Sequence, residues 1–186
     1  VKMNDKKAMA ESIKYIGNVW LVRGEFAKSI EQYKEALQLQ EAIKDKQGMA
    51  SSLNNIGLAY RAMGQLDSAL AVHVKCLSID EQRKDASGIS YSLGNIANVY
   101  RIKGDFVKCL DFQIRCLKML EELKDDNAIG LCLANIASVY KELGNLPSSL
   151  EYNQKALEML EKAGNKIALG HLLNNLSNLL DDMKEY

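Results

Sequence analysis

Apolar positions recur along this chain with two nested periods. The short one is the three-and-four spacing of an amphipathic helix, as in Leu53, Ile56, Gly57 and Tyr60. The long one is 40 residues. Ile13-Lys14-Tyr15-Ile16-Gly17 returns as Leu53-Asn54-Asn55-Ile56-Gly57, Leu93-Gly94-Asn95-Ile96-Ala97, Leu133-Ala134-Asn135-Ile136-Ala137 and Leu173-Asn174-Asn175-Leu176-Ser177, each copy 40 residues after the last. Trp20, Tyr60, Tyr100, Tyr140 and Leu180 follow in register, then Gly24, Gly64, Gly104 and Gly144. Phe26, Leu66, Phe106 and Leu146 come next, and Ala36-Leu37, Cys76-Leu77, Cys116-Leu117 and Ala156-Leu157 after them.

Each unit reads as two helices. The glycine column closes the first, because a left-handed residue there carries no Cβ penalty. Asp105 and Asn145 are cap residues for the helix that follows, and Pro147 stands in its first turn, where proline is tolerated. Asp45, Asp85, Asp125 and Asn165 cap the next boundary, and Lys44, Lys84 and Lys124 suit the helix C-terminus before it. Gly17, Gly57, Ala97, Ala137 and Ser177, with Ser29, Ala69, Cys109 and Ser149, are small so that paired helices approach closely. The predicted fold is all-α: nine helices in antiparallel pairs forming an α-solenoid. The units run about 6–45, 46–85, 86–125 and 126–165, with the first helix of a fifth unit at 166–186.

Composition agrees. Lys plus Arg and Asp plus Glu are both 24, so no net field draws in nucleic acid or an anionic membrane. No apolar run is long enough to span a bilayer, and Val1–Lys7 is not the start of a signal peptide. The four cysteines form no Cys-x-x-Cys, and His73 and His171 have no ligand-like spacing, so no metal or cofactor is expected. Buried, reduced thiols are expected instead, which points to the cytoplasm. No phosphate loop, dinucleotide fingerprint, zinc-protease motif or nucleophile elbow occurs, so the chain is not expected to be an enzyme. Asn175-Leu176-Ser177 matches a glycosylation sequon but lies within a repeat helix.

The Leu-x-x-(Ile/Leu)-(Gly/Ala)-x-x-Tyr signature, the turn glycine and the later Ala-Leu pair resemble the tetratricopeptide repeat family over the whole chain. The usual period is 34. The longer form is similar to spindle-orientation adaptors of the Pins type, to bacterial sensor and regulator arrays and, more loosely, to kinesin light chain. The resemblance implies a right-handed superhelix whose concave surface, lined by first helices, holds an extended peptide. Three columns of this chain fall on that face. They are Tyr15, Asn55, Asn95, Asn135 and Asn175; Asn18, Leu58, Asn98, Ser138 and Asn178; and Leu21, Arg61, Arg101, Lys141 and Asp181.

Asparagine costs roughly 0.5 kcal/mol against alanine inside a helix, so a ladder of it wants a reason. Related long-repeat adaptors use asparagine at the matching column to hold a peptide backbone, by donating and accepting together. The other reading is that these asparagines bond neighbouring first helices or are simply solvated. Arg61, Arg101 and Lys141 form a basic track for acidic side chains of a ligand, or else a solvated face. Leu58, Tyr91 and Leu131 are an apolar anchor for a ligand, or else local packing.

Two functions stay open. One is a protein–protein interaction module binding an extended segment of a partner. The other is a sensory or regulatory array inside a larger signalling protein such as a kinase, cyclase or transcription regulator. Met3 aligns with Ile43 and Leu123, and Tyr186 with Phe26, Leu66 and Phe106. The expectation is a fragment of a longer array, with apolar ends able to associate end to end.

Overall fold

A computed structural model describes residues 3–184; Val1, Lys2, Glu185 and Tyr186, on which part of the reading of the ends rests, lie outside the described residues. Among the described residues there are nine helices and no strand: α1 (Met3–Val22), α2 (Phe26–Ala42), α3 (Lys46–Ala62), α4 (Leu66–Arg83), α5 (Ala86–Ile102), α6 (Phe106–Leu123), α7 (Asp126–Glu142), α8 (Leu146–Ala163) and α9 (Lys166–Lys184). They divide into two compact units, the first ending at Val99 and the second beginning at Tyr100.

The turns are made as the sequence predicts. Gly24, Gly64, Gly104 and Gly144 have φ of 77°, 72°, 76° and 73°. Around each, the residue after the glycine donates its N–H back to the aromatic position, as Gln65 does to the Tyr60 carbonyl at 2.9 Å. This closes the first helix with its last carbonyls satisfied. Asp45, Asp105, Asp125 and Asn145 each accept the N–H three residues on, as do Asp85 and Asn165.

Lys44, Lys84 and Lys124 do more than place charge at a helix end. They adopt left-handed φ of 57°, 54° and 55°, the conformation that Gly164 takes in the fourth repeat. Lys84 N–H reaches the Glu81 carbonyl and Asp85 N–H the Asp80 carbonyl, both at 3.0 Å. A lysine there carries the Cβ strain that glycine avoids.

In the first unit, α1 pairs with α2 and α3 with α4, and α3 also packs on α2. Ile30, Tyr33, Ile56 and Ala59 form one core cluster, and Ala50, Leu53 and Cys76 another. Small residues allow the close pairing. A Cβ on Gly17 would meet Tyr33 at 2.7 Å, and one on Gly57 would meet the His73 ring at 2.5 Å. In the second unit α7 packs on α6 and α8, and α9 on α8. Leu133, Ile136, Ala137, Val139, Ala156 and Leu160 are buried there.

The outer copies depart from the pattern. Ile16 and Val19 are 47% and 51% exposed, whereas Ile56 and Ala59 in the same columns are 3% and 0%. Ser177 is exposed, although its column packs against a second helix in the other repeats, because no such helix follows α9 among the described residues.

Candidate binding face

In the first unit the asparagines of the predicted face are largely turned to one another. Asn18 Oδ1 accepts from the Tyr33 hydroxyl at 2.7 Å and from Asn55 Nδ2 at 3.3 Å. Asn95 Nδ2 donates to Asn54 Oδ1 at 2.8 Å. Tyr33 is buried, and that desolvation pushes its phenol up to about 12, so it stays a donor. These bonds link α1 to α3 and α3 to α5, the structural role left open for the ladder. Asn98 is half-buried, as are Leu58 and Arg61. Tyr15 and Tyr91 are 64% and 60% exposed.

Beside Tyr91 lies a cavity of about 240 Å³, lined also by Asn54, Asp80, Arg83 and Asp85. Arg83 bridges two carboxylates, Nη1 to Asp80 at 3.0 Å and Nη2 to Asp85 at 2.9 Å. Asp80 is buried, and its other oxygen accepts from Ser92 Oγ at 3.0 Å. Sequence reasoning did not place Asp80 or Arg83 at a cavity. The signal was present in the column Gln40, Asp80, Leu120, Leu160, which changes from polar to apolar halfway along the chain.

In the second unit Asn135, Asn175 and Asn178 are exposed and make no hydrogen bond among the described residues. Leu131, Asn135 and Asn175 line a cavity of about 540 Å³ together with Leu160, Ile167 and Leu172. Leu131, Leu160 and Leu172 stand 80 residues on from Ser51, Asp80 and Ser92, which line the cavity of the first unit. A further cavity of about 250 Å³ is lined by Lys141, Asn153, Asn175 and Asn178. Lys141 is not a bare cation, since its Nζ lies 2.6 Å from Asp182 Oδ2. Arg101 is exposed, and it too has a partner.

His73 is fully buried, and neither ring nitrogen has a hydrogen-bond partner. Burial, aided by the Arg61 charge, pulls its pKa down to about 4, so it packs as a neutral ring. No group of three or more His, Cys, Asp or Glu that could hold a metal occurs among the described residues, and no helix is long and apolar enough to cross a membrane.

The geometry is that of a helical repeat protein with a polar first-helix face interrupted by cavities. A tetratricopeptide repeat model matches residues 8–82 and 88–162, so the chain belongs to the tetratricopeptide repeat family. No curated protein sequence matches. Among solved structures, the apo form of RapI aligns with a TM-score of 0.84 at 19% identity, covering 94% of this chain and 48% of that one. Aspartyl phosphate phosphatase F from Bacillus subtilis aligns at 0.90 and 18% identity, covering 100% and 48%. A signal transduction ATPase with a tetratricopeptide repeat sensor from Pyrococcus horikoshii aligns at 0.82 and 16%, covering 97% and 30%. The likeness is one of fold, and this chain spans about half the length of the first two.

Proposed function

We propose that this chain is a non-catalytic protein-interaction module that holds an extended segment of a partner protein against its first helices. The observation that carries this reading is the set of exposed, unbonded asparagines, Asn135, Asn175 and Asn178, at the rims of two cavities. A helix gains nothing in stability from an exposed asparagine, whereas an amide that both donates and accepts matches a peptide backbone of any sequence. Leu131, with Leu160, Ile167 and Leu172, supplies apolar wall for a ligand side chain. Arg61, Arg101 and Lys141 favour acidic residues in the ligand. We place the module in the cytoplasm, where its buried thiols stay reduced.

A second reading is favoured by the comparisons. This chain covers 48% of RapI, 48% of aspartyl phosphate phosphatase F and 30% of the signal transduction ATPase, which carries its repeats as a sensor. On that reading the same face regulates an attached output domain. Exposed Ile16 and Val19 on α1, and Leu173 and Leu180 on α9, are where end-to-end association would occur; sedimentation at rising concentration tests it. The principal experiment is a peptide array probed with the purified chain, followed by titration calorimetry of the strongest peptide. Asn135→Ala should weaken binding by about 1 kcal/mol whatever the peptide's side chains. Unchanged affinity in Asn135→Ala and Asn175→Ala would sink the backbone-reading proposal.

A further inference from the structure

Positions 16 residues apart meet where one repeat packs on the next. In the first unit these are Cys76 on α4 and Ser92 on α5. Both reach the same atom: Asp80 Oδ2 lies 3.6 Å from Cys76 Sγ and 3.0 Å from Ser92 Oγ. In the second unit the same two columns hold Cys116 on α6 and Cys132 on α7, and Leu120 replaces the shared carboxylate. Without that acceptor the two thiols are neighbours across the α6–α7 junction, close enough for Cys116 to perturb Cys132. Cys132 Sγ also lies 3.3 Å from Gln113 Oε1 and 3.5 Å from the Gln113 carbonyl, one helical turn before Cys116. Both cysteines are buried, and both are reduced.

We propose that Cys116 and Cys132 are a closable dithiol: oxidation joins them in a disulfide that staples α6 to α7 within the native fold. With a peroxide as oxidant the first sulfur attacks the O–O bond, an S–O bond forms and water leaves. The second sulfur then attacks that sulfenic sulfur, the S–S bond forms and hydroxide leaves, taking up the thiol proton. Two thiols and one peroxide give one disulfide and two waters. The step needs no change of fold to bring the partners together, because Cys132 already packs on α6 within one helical turn of Cys116.

Two features set the rate. Burial keeps oxidants away until the junction opens locally. The Cys116 contact, with burial, also raises the pKa of Cys132, so little thiolate is present at neutral pH. Closure is therefore slow and faster at higher pH. Reopening needs a thiol reductant of similar access. The staple fixes α7, which carries Leu131, Asn135 and Lys141.

The test uses the whole native chain with diamide, whose diazene takes up the two hydrogens, and with hydrogen peroxide. Intact mass should fall by two hydrogens, and peptide mapping should find one bond, between Cys116 and Cys132. The melting temperature should rise by roughly 5–10 °C, because the closed loop is about 15 residues long, and dithiothreitol should reverse the shift. Cys132→Ser and Cys116→Ala should each abolish the effect. Serine stands at the first column in Ser52 and Ser92, and alanine at the second in Ala36 and Ala156, so both variants keep the fold. Cys76→Ala and Cys109→Ala should leave it intact. Disulfide-linked dimers, a bond involving Cys76 or Cys109, or sulfinic acid on an unpaired cysteine would overturn the proposal. So would a folded chain that keeps both thiols under diamide sufficient to pair them in urea.

Discussion

The two units carry the same backbone device with opposite chemistry at their junctions. In the first, Gln40 accepts from Ser52 at 2.9 Å and Asp80 from Ser92 at 3.0 Å, all four buried. Glycine answers each polar side chain: a Cβ at Gly88 would lie 2.7 Å from Asp80 Cγ, and one at Gly48 would lie 2.9 Å from Gln40 Cδ. In the second unit the same columns hold Leu160, Ala168 and Leu172. Three asparagines of the first-helix face follow suit: Asn55 and Asn95 are bonded to other asparagines in the first unit, whereas Asn135 in the same column of the second unit makes no hydrogen bond among the described residues. One repeat geometry therefore tolerates either a bonded polar junction or an apolar one. A buried polar group left unmatched there loses its water and gains nothing, a cost that Gln40 Nε2 still carries in the first unit.

The sharpest way to break this comparison is to strip one partner from the polar junction. Asp80→Ala leaves Ser92 and part of Arg83 without an acceptor and should cost about 2–4 kcal/mol in urea melts. Installing the whole apolar set, Asp80→Leu with Gly88→Ala and Ser92→Leu, should recover most of that. If the triple variant is no better than the single one, the junctions are not interchangeable.

Acid should separate the units next. His73 has a folded pKa of about 4 against an ordinary 6.5, so the unfolded chain binds the proton first as pH falls. Stability is full above pH 6.5 and declines towards pH 4, by on the order of 3 kcal/mol from this group. The matching residues of the second unit, Gln113 and Asn153, do not titrate. Melts of His73→Asn across that pH range should be flatter than those of the parent; equal slopes would mean that the ring is protonated or solvated when folded.

Binding should separate them by about 1 kcal/mol. Asn135→Ala should weaken peptide binding without lowering stability, whereas Asn95→Ala should lower stability, since it removes the bond to Asn54. The reverse outcome would put the ligand on the first unit.

The smallest effect should be common to both units. Lys84→Gly and Lys124→Gly relieve left-handed strain and should each stabilise by about 0.5 kcal/mol, the gain being limited by the added chain entropy of glycine. A loss in one unit only would show that its lysine makes contacts beyond the turn.

Much of this was legible without coordinates. The helices, the turn glycines, the Asp and Asn caps and the small columns all followed from local periodicity and single-residue preferences. The left-handed lysines did not, because their column shows lysine, a residue with no preference for that conformation, and only Gly164 betrays the turn type. The face carrying Asn55, Asn95 and Asn135 was legible as a column. Which of its members are already bonded was not.

The sequence alone determined the fold, because a helix and its turn are fixed by residues a few positions apart, and the 40-residue repeat imposes the same solution on each unit. Tertiary structure decided which equivalent positions hold equivalent roles. Asn55 and Asn135 share a column, yet the first bonds Asn18 at 3.3 Å and the second makes no hydrogen bond among the described residues. Cys76 and Cys116 share another, yet one faces a carboxylate and the other a thiol. A side chain's role depends on the neighbour that packing supplies, and that neighbour comes from a different helix, which local pattern does not see.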